Sequence, residues 1–515
     1  MVGFNDPDSG TIPDHTVCFL LIQVFRIFEI VTMSCAAIVA LITLPMALAL
    51  AQDVPLEVGS RKQLFIDQRF IAKSERVTLR TNPGQKLGQI LDSEAKPLMG
   101  HVSRVIEDQG KIRMYVGHDG VAIFESDDGL HFKATGRSIG GGSFSTIFLD
   151  THDPIPARRY KLFLLKSQPT FDRATDGVYA FTSADGLEFT EAGRVLPCFT
   201  DNPTIVLWDE RIGKYVIYLR ALAYDSPNQR RIARIEVDNP LKPWPFRETN
   251  EPRPFLSTEN VTVVLEADDE DDPDSDIYYN AATIYDGAQD TYLMFTTQFR
   301  HFSSRRHPFV RPPRPGQWED FGPLEVQLAV SRDGVRWQRP TREPYFPMGL
   351  ADEWDRWYAV MGPGVVRRGN YLYQYYNSTG RLHDGAILRA EYEHSAPQLG
   401  GIGIVRQRLD GFVSADVDHK GGWLETPLLT FRGNRLRLNI DTGAMGTAFV
   451  ELRDAAGEPI PGFTLSDCEE IGGNFVDQLV YWKGNCDVGS LAGRPIFAFM
   501  KLKRAKLYAF HFVAE

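Results

Sequence analysis

The chain has 515 residues, 43% hydrophobic and 24% charged, and its 56 Lys and Arg against 67 Asp and Glu give a formal net charge of −11. That length exceeds one ordinary core, so two or more domains are expected, and the apolar to charged balance is that of a globular protein. The basic residues are scattered and outnumbered, which argues against nucleic acid as the main partner.

The first element in chain order is the apolar run "SCAAIVALITLPMALALAQ" (34 to 52), which ends in Ala49-Leu50-Ala51 before Gln52, the small-x-small pattern of a signal-peptidase site. The expected mature protein starts at Gln52, so residues 1–51 are a signal segment and the product is secreted or periplasmic. From Ala36 to Ala51 the run falls short of the roughly 20 apolar residues of a membrane span, so no stable span is expected after cleavage. The stretch from Val17 to Ile30 is interrupted by Arg26 and Glu29, and Met33 offers an alternative start codon. Cys198, Cys468 and Cys486 remain after cleavage; Cys468 and Cys486 are close enough in sequence to bridge, with buried free thiols the competing expectation.

Five hairpin patterns come next: "SRVIEDQGKIRMYV" (103 to 116), "STIFLDTHDPIPARRYKLFLL" (145 to 165), "TIVLWDERIGKYVIYLR" (204 to 220), "ATIYDGAQDTYLMFTT" (282 to 297) and "GVVRRGNYLYQYY" (364 to 376). Each pairs two apolar strands across a polar turn. Three units close on Ser-x-Asp-Gly-x-x-aromatic, as "SDDGLHF" (126 to 132), "SADGLEF" (183 to 189) and "SRDGVRW" (331 to 337). Three or four strands repeated five times predict an all-β fold with a five-bladed β-propeller over 52–405. Beyond it, "NRLRLNIDT", "GTAFVELRD", "RPIFAFMKL" and "KLYAFHFV" predict a C-terminal antiparallel β-sandwich over 406–515, serving for packing or carbohydrate contact.

Propeller geometry sorts the polar residues. Those before the innermost strands, at the ends of second strands and at the starts of third strands line one channel mouth. This selects Asp201, Glu325 and Asp355 as candidate catalytic carboxylates, with Glu353 as an alternative acid. His101, Arg104, Arg220, Tyr279, Asn280, Arg300, Tyr358 and His383 become candidate substrate-binding residues. Carboxylates converging with Arg, His and Tyr suit glycosidic bond cleavage, in which one acid protonates the leaving oxygen and another carboxylate attacks or activates water. Asp108, Asp150, Asp209 and Asp286 fall on the far face as turn formers, and Asp333 in "SRDGVRW" is assigned there too. The acidic run "EADDEDDPDSD" (266 to 276) offers carboxylates to a structural calcium but lacks EF-hand spacing, and a solvated loop is expected. No Gly-rich phosphate loop, nucleophile elbow or HExxH occurs, and no metal or other cofactor is expected.

The segments "LFIDQRFIA" (64 to 72), "DSDIYYNAATIYD" (274 to 286), "PLEVQLAVSRDGVRWQRP" (323 to 340), "EWDRWYAVMGPGVVRRGNYLYQYY" (353 to 376) and "LDGFVSADVDHKGGWLETPLLTF" (409 to 431) resemble secreted bacterial, planctomycete-type proteins described as glycoside hydrolase family 32 N-terminal-like. More distantly, the chain is similar to glycoside hydrolase families 32 and 43. The resemblance implies a propeller with three acids at the channel. Asp67 in "LFIDQRF" is the nearest blade-one Asp, and Asp201 in "CFTDNPTIVLWD" best matches an inner-strand acid, while the "NDPNG", "RDP" and "EC" motifs are absent. A secreted glycoside hydrolase acting on a poly- or oligosaccharide is therefore the leading expectation. The alternatives are a non-catalytic carbohydrate-binding propeller and, from the Asp-box-like repeat, a sialidase-like enzyme.

Overall fold

The computed structural model describes residues 54–515 apart from 119, 141–142, 168–170, 201–202, 223–229, 246–260, 302–321, 351 and 384–399. The chain divides into two compact units, 1–57 and 58–515, and the second holds the antiparallel sheets described below. The signal segment expected over 1–51 lies outside the described residues.

Five antiparallel sheets succeed one another along the chain. Sheet one comprises His101–Asp108, Lys111–His118, Gly120–Ser126 and Lys133–Ile139, and sheet two Ser143–Leu149, Tyr160–Lys166, Gly177–Ser183 and Thr190–Leu196. Sheet three contains Ile205–Asp209, Lys214–Leu222, Arg230–Val237 and Thr262–Leu265, and sheet four Ser275–Ile284, Tyr292–Arg300, Leu324–Ser331 and Trp337–Gln338. In sheet five, Val360–Met361 and Val366–Arg368 pair with Tyr371–Ser378, then come Gly401–Arg408 and Gln85–Gln89, so the last strand is supplied from the N-terminal side. All five sequence-predicted hairpins are the paired strands of these sheets.

The first strands neighbour one another in sheet order, and the circuit closes because Val366–Arg368 lies against His101–Asp108. At that closure Val105 N–H donates to the Pro363 carbonyl at 3.0 Å. Gly364 there has φ +113°, and a Cβ would stand 2.3 Å from the Val105 carbonyl, so only glycine permits this approach.

Every sheet is packed on both faces, so middle strands such as "YLMFTTQFR" are buried almost throughout rather than on alternate residues. Successive pairs of sheets share buried clusters: Phe163 and Ile217 between two and three, Val216 and Met294 between three and four, and Met114 and Tyr375 across the closure of five onto one. Where it packs on sheet five, sheet four's core is continuous with the C-terminal strands through Phe295, Tyr345 and Phe412.

The Ser-x-Asp-Gly turns are built alike. Ser331 Oγ accepts from Gly334 N–H at 2.9 Å, and Asp333 Oδ1 accepts from Val335 and Arg336 N–H at 2.9 and 2.8 Å. Each glycine carbonyl accepts the hydroxyl of a tyrosine from the preceding sheet: Tyr375 to Gly129 at 2.8 Å, Tyr115 to Gly186 at 3.0 Å and Tyr218 to Gly334 at 2.7 Å. The hairpin aspartates do more than form turns. Asp150 accepts from Tyr215 of the next sheet at 2.8 Å and pairs with the buried Lys161 at 2.6 Å, and Asp209 accepts from Tyr292 at 2.8 Å.

Two further antiparallel sheets involve the C-terminal strands. One contains Asn474–Leu479, Arg435–Asp441, Ala505–Val513 and Val413–Val417, the other Gly422–Glu425, Phe497–Lys503 and Thr447–Arg453. Strands Lys73–Glu75 and Thr78–Thr81, expected from their position to belong to the propeller, hydrogen-bond into these sheets instead. Cys198, Cys468 and Cys486 are free thiols. Burial pushes the Cys468 thiol up to about 11.

Candidate functional site

At the end of the ring where first strands begin and second strands finish, side chains of sheets three, four and five gather around Asp276. The first strand of sheet four opens at Ser275, so the last aspartate of the acidic run is a strand residue, 1% exposed. Its Oδ2 accepts from Arg230 Nη1 at 3.1 Å and lies 3.3 Å from His301 Nε2. Its Oδ1 is buried with no hydrogen-bond partner among the described residues. Burial alone raises the Asp276 carboxyl, but His301 and Arg230 outweigh it and hold the group below the usual carboxylate range.

Next to it, Tyr278 hydroxyl lies 2.7 Å from His383 Nε2. The Arg220 and Arg230 guanidinium groups stand 4.7 and 4.8 Å from the Tyr278 ring centroid, within cation–π range. Phe299 packs beside His301 and His383 at 4.2 and 4.9 Å. The base of this group is apolar: Tyr278, Tyr279, Phe299, Leu324, Tyr358 and Val360 form one buried cluster.

Glu325 opens the third strand of sheet four, directly opposite Gln298. Burial raises its carboxyl, and Glu343 adds to this, while the 3.0 Å hydrogen bond from Gln327 Nε2 opposes it without cancelling it. Opposite residues in an antiparallel sheet share a face. The register therefore puts Asp276, Phe299 and Leu324 on one face of sheet four and Ile277, Gln298 and Glu325 on the other. Two strand spacings, about 9.6 Å, separate their backbones.

The other sequence-predicted residues divide. Arg220, Tyr279, Tyr358 and His383 join the Asp276 group. Asn280, one residue further along, has both amide atoms buried without a hydrogen bond among the described residues. His101 Nδ1 lies 3.0 Å from Asn377 Nδ2, across the closure of sheet five onto sheet one. Arg300 pairs with Asp272 at 3.1 Å on the rim.

Asp355 stands apart. Within sheet five it accepts from Lys86 Nζ at 2.9 Å and Tyr376 hydroxyl at 2.7 Å, and these two partners account for its burial. Glu353 accepts from Leu350 N–H at 2.7 Å. Asp67 is clamped by Arg332 at 2.9 and 3.0 Å, on the side of the Ser-x-Asp-Gly turns. Arg104 lines a cavity at the other end of the ring. Asp201 lies outside the described residues.

The acidic run is neutralised internally. Asp271 and Asp268 pair with Arg339 and Arg342, and Glu270 with Arg342 at 3.1 Å. Among the described residues no three His, Cys, Asp or Glu side chains are grouped to hold a metal. Asp276, Arg230, Tyr278 and Phe299 were not selected from sequence. The available signal was the segment "DSDIYYN", where an acid directly precedes an apolar strand.

No family model and no curated protein matches the chain. Among solved structures it is similar to a Bacillus subtilis glycoside hydrolase family 43 arabinoxylan arabinofuranohydrolase, at 11% identity and TM-score 0.34, over 81% of this chain and 96% of that one. An exo-β-1,3-galactanase from Phanerochaete chrysosporium matches at 8% identity and TM-score 0.35, over 84% and 100%. An N-acetylgalactosamine deacetylase from F. plautii matches at 11% identity and TM-score 0.39, over 70% and 96%. Identities and scores at this level assign neither a family nor a substrate, and the functional argument rests on the residues themselves.

Proposed function

We propose that the chain is a five-bladed β-propeller with a C-terminal β-sandwich, secreted or periplasmic, that acts as a glycoside hydrolase on a poly- or oligosaccharide at the mouth built around Asp276. The propeller assignment is supported by five sheets whose first strands succeed one another in a closed circuit. Export rests on the apolar segment ending at Ala51.

One arrangement carries the catalytic assignment: Asp276, buried with Oδ1 unengaged among the described residues, stands with Arg230, His301, Tyr278 and His383 at one end of the sheets, and its surroundings and those of Glu325 move their proton affinities in opposite directions. Such a divergence lets one carboxyl remain an acid while another stays ionised at the same pH. Glu325 delivers its proton to the glycosidic oxygen as the bond to the anomeric carbon breaks. Asp276, with Oδ1 unengaged, either attacks that carbon or takes the proton from an attacking water. Arg220, Tyr278 and His383 supply donors for sugar hydroxyls, and Phe299 an apolar ring face.

A second function, carbohydrate binding without turnover, is favoured by the register, which faces the two carboxylates to opposite sides of sheet four. Turnover of polysaccharides and aryl glycosides by the full chain separates the two. For a hydrolase, Asp276→Asn abolishes activity on every substrate. Glu325→Gln loses about 10²–10⁴-fold on unactivated glycosides and far less on dinitrophenyl glycosides, whose leaving group needs no proton. Wild-type turnover unchanged in both variants overturns the catalytic assignment. Retention on a polysaccharide affinity gel without turnover, lost in Asp276→Asn, establishes the binding alternative.

A further inference from the structure

The C-terminal sheet of Lys73–Glu75, Gly422–Glu425, Phe497–Lys503 and Thr447–Arg453 buries one face, where Leu424, Met500 and Val450 are fully covered. The opposite face carries Trp423, Phe449, Phe497 and Phe499, all half-buried. An antiparallel sheet with one wet face ordinarily presents polar residues there. Large apolar groups gathered on such a face mark a place where something binds.

The register sets out what this face offers. Trp423 and Phe449 stand directly opposite Lys501 on its two neighbouring strands, so ring, ammonium and ring follow one another at steps of about 4.8 Å. Lys503, two residues on, shares the face. Phe499, in the next row, stacks on Trp423 with centroids 5.2 Å apart and planes 28° apart. Glu75 Oε2 accepts the Trp423 indole N–H at 3.0 Å, which holds that ring in place.

These residues line an open cleft of about 550 Å³, where Arg76, Lys420, Lys501 and Lys503 face Glu75 alone. Glu75 is paired with Arg76 at 3.1 Å. The face's other carboxylates, Glu425 and Glu451, are taken by Arg453 at 2.7 and 2.8 Å, and Glu425 also by Lys73 at 2.8 Å. Lys420, Lys501 and Lys503 have no carboxylate partner among the described residues, whereas every other described lysine except Lys133 and Lys242 has one. On a chain of net charge −11, the cleft is a local excess of positive charge.

We propose that this face binds an acidic polysaccharide, its sugar faces packing on the rings and its carboxylates or sulfate esters pairing with the lysines. A second copy presenting the same face would set lysine against lysine. A nucleic acid strand offers bases and phosphates to the same row, but the export expected from the segment ending at Ala51 favours the polysaccharide. The site lies on a different sheet from Asp276 and requires no turnover there.

Titration calorimetry of the full chain tests this with oligogalacturonate, a chondroitin sulfate oligosaccharide, a neutral xylo-oligosaccharide and an oligothymidylate. The expected result is saturable binding of at least one acidic oligosaccharide, weakening as salt rises, with the neutral one bound less tightly. Lys501→Gln and Lys503→Gln should each lower the affinity by up to about 5-fold, and the triple variant with Lys420→Gln by more than either. Urea midpoints should stay unchanged, because the three lysines are exposed and unpaired. Trp423→Ala should lower the affinity by about 10-fold or more. The proposal is overturned by an absence of saturable binding, by equal affinity in the triple variant, or by a neutral sugar bound as tightly as the acidic ones. Tighter binding of oligothymidylate would make the occupant a nucleic acid, and a dimer in sedimentation that the triple variant dissolves would make it a second copy; either result also overturns it.

Discussion

Replacing Tyr375 by Phe removes one hydroxyl and leaves the packing in place. The ring is 1% exposed and meets Phe132 edge-on at 5.6 Å, a contact that phenylalanine retains. What disappears is the 2.8 Å hydrogen bond to the Gly129 carbonyl, which ties sheet five to sheet one. A buried hydrogen bond is worth about 1 kcal/mol net, but removing one partner and leaving the buried carbonyl without a donor costs the larger desolvation penalty instead, so the expected loss is about 1–3 kcal/mol. Tyr115→Phe and Tyr218→Phe break the equivalent bonds between sheets one and two and between sheets three and four, and should cost similar amounts. Because the three turns share no partners, the triple variant should lose the sum of the single values to within about 0.5 kcal/mol. Urea unfolding monitored by tryptophan fluorescence measures this as a lower midpoint at unchanged slope. Tyr481→Phe, on a residue 37% exposed, is the control and should shift stability by less than about 0.5 kcal/mol. Losses at all three sites no larger than the control's would show that the tyrosine bonds do not hold the sheets together.

Three further outcomes are expected. Glu325 binds its proton more tightly when folded than the ordinary value of about 4.3, so stability should fall as pH rises from that value through the folded one; Glu325→Gln should flatten this fall in urea midpoints measured from pH 4 to 8. Arg339→Leu should destabilise by up to about 3 kcal/mol, because Arg339 and Asp271 are 1% and 5% exposed and the carboxylate would keep only the more distant Arg342, at 3.9 Å. Millimolar calcium should leave the thermal midpoint unchanged, since Asp268, Glu270 and Asp271 are already engaged by arginine; a saturable rise would reveal a metal site.

The hairpins were legible because their strands are long, apolar and joined by short turns, so each signal lies within about twenty residues. The Ser-x-Asp-Gly repeat was legible as structure because it recurs, and its hydrogen bonds are local. Strands Lys73–Glu75 and Thr78–Thr81 were not, being three or four partly exposed, mostly polar residues whose partners lie more than 300 residues away. A separation of 269 residues likewise hid the role of Asp355, since nothing near it in sequence indicates Lys86. Asp276 was missed because it ends a run of acids, and composition alone does not mark where the loop stops and the strand starts. Arg104 was assigned to the mouth from its place near a strand start, whereas a long side chain can reach toward the opposite end.

Gln85–Gln89 is made early in synthesis, yet the strand it pairs with, Gly401–Arg408, emerges about 310 residues later. At about 5–20 residues per second, that is a wait of roughly 15 to 60 s. Throughout it, the emerging sheets have an unsealed seam and hydrogen-bonding edges open to other chains. If the chain is exported, that interval favours passage before the seam closes. Assembly would then be timed by the last third of the polypeptide, and truncations there should yield aggregates rather than smaller soluble rings.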